Sequence, residues 1–170
     1  MRVELRVRYL SSREKNALRD KVGTFFSDEE FRRLFMKGDV REVLDESGNK
    51  ILLIGNYVFI VREERVVPAL EGEGVNLLDK LPSVRVDRGA IPHVASGAHI
   101  MRPGITRFEK SFKSGDLVVV RDETYGKPLA VGVALEDSEK AAEMQRGKIL
   151  VNIHHVDDKF WRLAQRVLGG

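Results

Sequence analysis

The 170-residue chain contains no cysteine. That absence excludes thiol nucleophiles, cysteine-ligated zinc and any disulfide framework together. A chain of this length can bury a core without such staples, as one compact domain or two small ones. No apolar run approaches the roughly 20 residues needed to span a bilayer. The opening Met1-Arg-Val-Glu-Leu-Arg-Val-Arg8 alternates charge with apolar residues where a secretory signal would carry an apolar core. The expectation is a cytoplasmic protein without membrane contact. Strong charge of one sign is also missing: the net charge is +3, short of the excess that marks a nucleic-acid binder by itself. The serine-hydrolase elbow Gly-x-Ser-x-Gly, the phosphate loop Gly-x-x-x-x-Gly-Lys and the zinc helix His-Glu-x-x-His are all absent. A chain without catalytic activity, cofactor or metal is expected.

What charge there is lies unevenly. Acidic and basic residues balance over positions 1–80, so the entire positive excess falls in positions 81–170. A modest cationic face between Arg85 and Lys127 would attract phosphates through its local field and counterion release. A solvated surface of mixed charge accounts for it equally well. Arginine outnumbers lysine, a balance compatible with a heat-adapted source.

Periodicity divides the chain near residues 80–83. Val3, Leu5, Val7 and Tyr9 alternate with charged residues, the period of a strand with one buried face. Ser11-Ser-Arg-Glu14 and Ser27-Asp-Glu-Glu30 read as capping boxes opening two helices, the second ending near Gly38. Strands are expected over 40–44, 51–54 and 57–61, separated by Ser47-Gly-Asn49 and Gly55-Asn56, with a further edge strand over 66–70 and a helical turn at 75–80. Phe25, Phe26, Phe31 and Phe35 supply the core of this half. In the second half, strands are expected at 84–86, 115–121, 128–135 and 149–153, with a short helix near 138–146 and a final apolar patch at Phe160, Trp161 and Leu163. Several short strands with small helices at the corners suit a β-barrel-like domain.

Between these strands lies Val86-Asp-Arg-Gly-Ala-Ile-Pro-His-Val-Ala-Ser-Gly-Ala-His-Ile-Met-Arg-Pro-Gly-Ile105. Its glycines interrupt regular helix. They serve either as turns and tight packing positions or as openings through which a ligand reads the backbone, as unstacked RNA bases can. Two other clusters invite chemistry. His154-His155 with Asp157 and Asp158 resembles a metal set, but neighbouring strand residues point to opposite faces. Ser96 stands near His93 and His99 without any recognisable oxyanion site.

Gly89-Ala90, Ser96-Gly-Ala98, Ile100-Met101 and Pro103-Gly-Ile105 resemble the PUA domain, the RNA-binding module named after pseudouridine synthases and archaeosine transglycosylases. Val131-Gly-Val133, then a helix, then Gly147-Lys-Ile-Leu-Val-Asn-Ile-His-His-Val-Asp-Asp-Lys-Phe-Trp161 resemble the closing segment of the malignant T-cell amplified sequence family. The resemblance implies an α+β chain: an N-terminal mixed α/β pre-PUA domain over 1–82, followed by a C-terminal PUA β-pseudobarrel over 83–170. It implies an archaeal member that binds tRNA or small-subunit ribosomal RNA in translation, with the small ribosomal subunit or a translation factor as partner. An accessory RNA-binding subunit of a tRNA- or rRNA-modifying enzyme is the alternative. Carried over by position, the groove comprises Gly89, Ala90, His93, Gly97, Ala98, His99, Met101, Pro103 and Gly104. Arg102 and Lys110 are expected to face phosphates, and Arg85 and Arg88 to extend the cationic track. His154 or Asn152 would tie down the final turn, and Trp161 would seal the barrel end.

Overall fold

The structure is a computed structural model in which residues 4–169 are described. The chain divides into two compact units, one running to Lys80 and taking up again at Lys159, the other spanning Leu81–Asp158.

The first unit is an antiparallel meander with helices on it. Strands β1 (Arg6–Tyr9), β2 (Val40–Leu44), β3 (Lys50–Ile54), β4 (Tyr57–Arg62) and β5 (Arg65–Pro68) pair in sequence order. Helices α1 (Ser12–Val22) and α2 (Glu29–Lys37) are inserted between β1 and β2, joined by a 3-10 turn at Gly23–Ser27. Ser11 and Glu14 form the expected capping box. The second helix starts one residue later than expected: Asp28, not Ser27, caps α2 by accepting from the Phe31 N–H at 3.0 Å. The 3-10 turn carries the chain through Ser27 before α2 begins. Phe25, Phe31 and Phe35 are buried, with Phe31 meeting Phe59 and Tyr57 of β4 at 5.4 and 5.3 Å between ring centroids.

The alternation in β1 does not mark a buried face. Val7 and Tyr9 are 56% and 62% exposed on β1, the outer strand of its sheet, whose alternation does not by itself say what covers either face. Val3, part of the same reading, lies outside the described residues.

The second unit contains β6 (Ser83–Val86), α3 (Ile91–Val94), β7 (Ile100–Met101), β8 (Ile105–Glu109), β9 (Leu117–Asp122), β10 (Pro128–Ala134), α4 (Ser138–Glu143) and β11 (Lys148–His155). Their order in the sheet is β7-β11-β10-β9-β6-β8, all antiparallel except β6 with β9. That parallel pair needs a crossover, and α3, β7 and β8 supply it. The sheet curls around Val84, Val86, Val118, Val120, Ile149 and Leu150, all fully buried, with Val94, Ile100 and Ile105 from the crossover closing one end. The glycine-rich run is therefore the crossover itself, laid over the end of the core.

The final helix α5 (Lys159–Gly169) belongs to the first unit, where it packs against β3 and buries Phe160, Leu163 and Ala164. This differs from the assignment of all residues from 83 to 170 to the second domain. Trp161, expected to seal the barrel, is half-buried on this first-unit helix.

Candidate nucleotide-binding site

The crossover opens into a pocket of about 270 Å³ lined by Val86, Ala90, His93, Val94, Ala98, His99, Ile100, Met101 and Gly104. The backbone forms it in three steps. First, Asp87 Oδ1 accepts from the Ala90 N–H at 2.8 Å, closing the turn that leads from β6 into α3. Second, α3 lasts one turn and ends where Gly97 adopts φ +96°, a left-handed conformation that residues with a Cβ rarely hold. Third, the Asp87 N–H donates to the Gly104 carbonyl at 2.9 Å, holding the far end of the run beside its beginning.

Asn152 of β11 fastens this arrangement from below. Its Nδ2 donates to the carbonyls of Val94 at 3.1 Å and Ala98 at 3.0 Å, and its main-chain N–H donates to His99 Nδ1 at 3.0 Å. Asn152 is 6% exposed, and buried amide hydrogen bonds of this kind fix a loop in place. With Nδ1 accepting, the neutral His99 ring carries its proton on Nε2 and presents a donor on its exposed side. The pocket is chiefly apolar, with imidazole edges from His93 and His99 and the Met101 thioether at its rim. Such a lining suits a flat heterocycle that packs by its faces and is hydrogen-bonded at an edge.

The structure thus gathers Ala90, His93, Ala98, His99, Met101 and Gly104 around one pocket. Gly89 and Pro103 are exposed outside its lining, and Gly97 lies against the His155 ring, where an added Cβ would come within 3.1 Å of Nε2. Val86 and Val94 line the pocket without having been singled out from the sequence, where they look like ordinary core residues, and Ile100, one of the residues that carry the PUA resemblance, lines it with them.

The cations divide by role. Arg88 is exposed and has no hydrogen-bond or ion-pair partner among the described residues. Arg102, expected to face phosphates, instead donates to three carbonyls: Nε to Ala141 at 2.9 Å, Nη1 to Ile105 at 3.0 Å and Nη2 to Ala142 at 3.2 Å. Its guanidinium also lies 5.3 Å from the centroid of the Phe108 ring. A guanidinium held this way cross-links α4 to the start of β8. Arg85 is paired with Glu109 and donates to the Glu123 carbonyl at 3.2 Å. Lys110 has left-handed backbone at the end of β8 and stands apart from the pocket.

The other sequence clusters have structural partners. His154, fully buried, meets Asp158 Oδ2 through Nδ1 at 2.8 Å, and the same oxygen accepts from the His155 N–H at 2.9 Å. His154 therefore holds the turn after β11, as expected, whereas Asn152 holds the crossover. The Ser96 hydroxyl donates to the Pro92 carbonyl at 2.8 Å. Among the described residues, no helix is long and apolar enough to cross a membrane.

The PUA domain family matches residues 82–156. An uncharacterized protein of Methanocaldococcus jannaschii is 32% identical over 163 residues, covering 94% of this chain and 98% of that one. Translation machinery-associated protein 20 of Saccharomyces cerevisiae is 31% identical over 120 residues, covering 65% of this chain and 64% of the yeast protein. The crystal structure of a PUA domain from Aeropyrum pernix, a tartrate complex, superposes with a TM-score of 0.78 at 28% identity, covering 96% of this chain and 92% of that one. The chain belongs to the PUA-domain proteins and is homologous to the translation machinery-associated and malignant T-cell-amplified sequence proteins.

Proposed function

We propose that this protein binds RNA through its second unit and acts in translation, without catalysing a reaction itself. The observation that carries the proposal is the apolar pocket in the crossover, with a His99 donor fixed in direction by Asn152. An unpaired nucleotide placed there would bury its base against Val94, Ile100 and Met101 and offer an acceptor to His99 Nε2. Exposed Arg88, on the turn entering the pocket, would meet a neighbouring phosphate. The similarity to translation machinery-associated protein 20 supports the cellular role. A tRNA or small-subunit ribosomal RNA is the proposed ligand, and the small ribosomal subunit or a translation factor the proposed partner.

Fluorescence anisotropy with labelled tRNA over a series of salt concentrations tests this. Binding should weaken steeply with salt, and Arg88→Ala should lower the slope of log affinity against log salt by about 0.7–0.9. Absence of binding at micromolar protein, or binding indifferent to salt, would refute the proposal.

A further inference from the structure

Strand pairing brings a second cation to the rim of the pocket. Lys148 opens β11, directly opposite Met101 of β7, which lines the pocket. Residues opposite one another in an antiparallel pair project to the same side of the sheet, with Cβ atoms roughly 5 Å apart. The burial pattern agrees with this register. Met101 and Lys148 are both exposed, while the next pair along, Ile100 with Leu150, is buried on the other side. An irregularity between Lys148 and Leu150 lets Ile149 and Leu150 both turn into the core, leaving Lys148 outside beside the Met101 thioether.

The segment that carries Lys148 is fastened to the crossover. The Arg102 main-chain N–H donates to the Gly147 carbonyl at 2.8 Å, so the residue after Met101 grips the residue before Lys148. Gly147 holds φ +107°, which turns the chain sharply into β11. The Arg102 guanidinium, through the Ala141 and Ala142 carbonyls, secures α4 just upstream. Arg102 thus spends its own charge inside the fold and places a lysine whose charge is unspent. Among the described residues, Lys148 has no hydrogen-bond or ion-pair partner, and neither has Arg146 on the preceding turn. Glu143, the nearest acid in sequence, is exposed and pairs with neither.

We propose that Lys148 holds a second phosphate of the bound RNA, the strand running from Arg88 past Met101 to Lys148. This rests on the RNA-binding reading above. Arg88 stands on the turn just before the pocket-lining Ala90, and Lys148 stands across from the pocket-lining Met101, so the two cations come to the rim from different elements. The base goes to the apolar pocket, and a phosphate on each side goes to a cation. Lysine suits this role because its ammonium is a point charge that meets a phosphate without a fixed approach. The ligand is then a nucleotide within a continuous strand.

The test is anisotropy over a salt series with a labelled single-stranded RNA. The unaltered protein is compared with Lys148→Ala, Lys148→Arg, Arg88→Ala, the double variant Arg88→Ala with Lys148→Ala, and Arg33→Ala, which removes an exposed cation of the first unit. Lys148→Ala should lower the salt slope by about 0.7 and the double variant by about 1.4, with unfolding midpoints unaltered. Lys148→Arg should keep the slope, and so should Arg33→Ala. If Arg88→Ala lowers the slope while Lys148→Ala does not, the second phosphate contact is wrong and the pocket stands. A double variant no weaker in slope than Arg88→Ala alone means one shared phosphate and overturns the proposal. An equal loss from Arg33→Ala means general surface charge and overturns it too. If the unaltered protein binds no RNA, the underlying reading falls with it.

Discussion

The Asn152 main-chain N–H donates to His99 Nδ1 at 3.0 Å across 53 positions of sequence. The Asn152 side chain continues the same task by donating to the Val94 and Ala98 carbonyls, while its Oδ1 accepts nothing among the described residues. The amide is thus used as a double donor, which aspartate cannot replace. Asn152→Ala should destabilise the protein by about 1–3 kcal/mol, the penalty for buried acceptors left without partners. Urea unfolding measures the loss, and RNA affinity should fall with it because α3 is no longer held.

Gly97 and Gly89 lie in the same run and should respond oppositely. Gly97 has φ +96°, so Gly97→Ala should lower stability by more than about 1 kcal/mol. Gly89 is not in the left-handed region, and an added Cβ would approach only Asp87 Oδ1, at 3.4 Å. Thermal unfolding of Gly89→Ala should be unchanged or slightly raised.

Two arginines of the crossover separate stability from RNA affinity. Arg102→Ala removes three donors to carbonyls and the contact with Phe108. It should lower stability by about 1–3 kcal/mol with little change in salt slope. Arg88→Ala should leave the unfolding midpoint unaltered and reduce the salt slope, read by denaturation and anisotropy on the same samples.

Asp122 gives the hairpin between β9 and β10 a defined acid limit. Its carboxyl is held below the ordinary aspartate range, first by the Tyr125 N–H, with those of Lys127 and Thr124 acting in the same direction against burial. A folded value below the unfolded one means that stabilisation is complete above the unfolded value of about 3.9 and is lost as pH falls through the folded value. Chemical denaturation across pH 2 to 6 should show this loss below about pH 4. Asp122→Asn should flatten it and reduce stability at neutral pH.

Local signals served well where a residue's role depends on near neighbours. Ser11 and Glu14 cap α1 as their spacing implies, and the phenylalanines at 31 and 35 lie on one buried face of α2. The pocket was legible because its residues lie in one crossover, so their sequence order is nearly their spatial order. Arg102 was misread for the opposite reason: its acceptors at Ala141 and Ala142 lie 39 and 40 positions away, and an arginine beside Pro-Gly looks exposed until α4 is placed. Val7 and Tyr9 show the limit of periodicity, since alternation gives the two faces of a strand but not whether anything covers them.

The return of α5 to the first unit makes the second unit an insertion rather than an appendage. During synthesis the first unit cannot complete its helical cover until all of residues 81–158 have been made. A stop after Asp158 would leave the second unit's own sheet whole yet strip Phe160, Leu163 and Ala164 from the first. The cover of the meander is therefore tied to translation through the whole of the second unit, and a chain that fails late leaves its earliest-made part without its last helix.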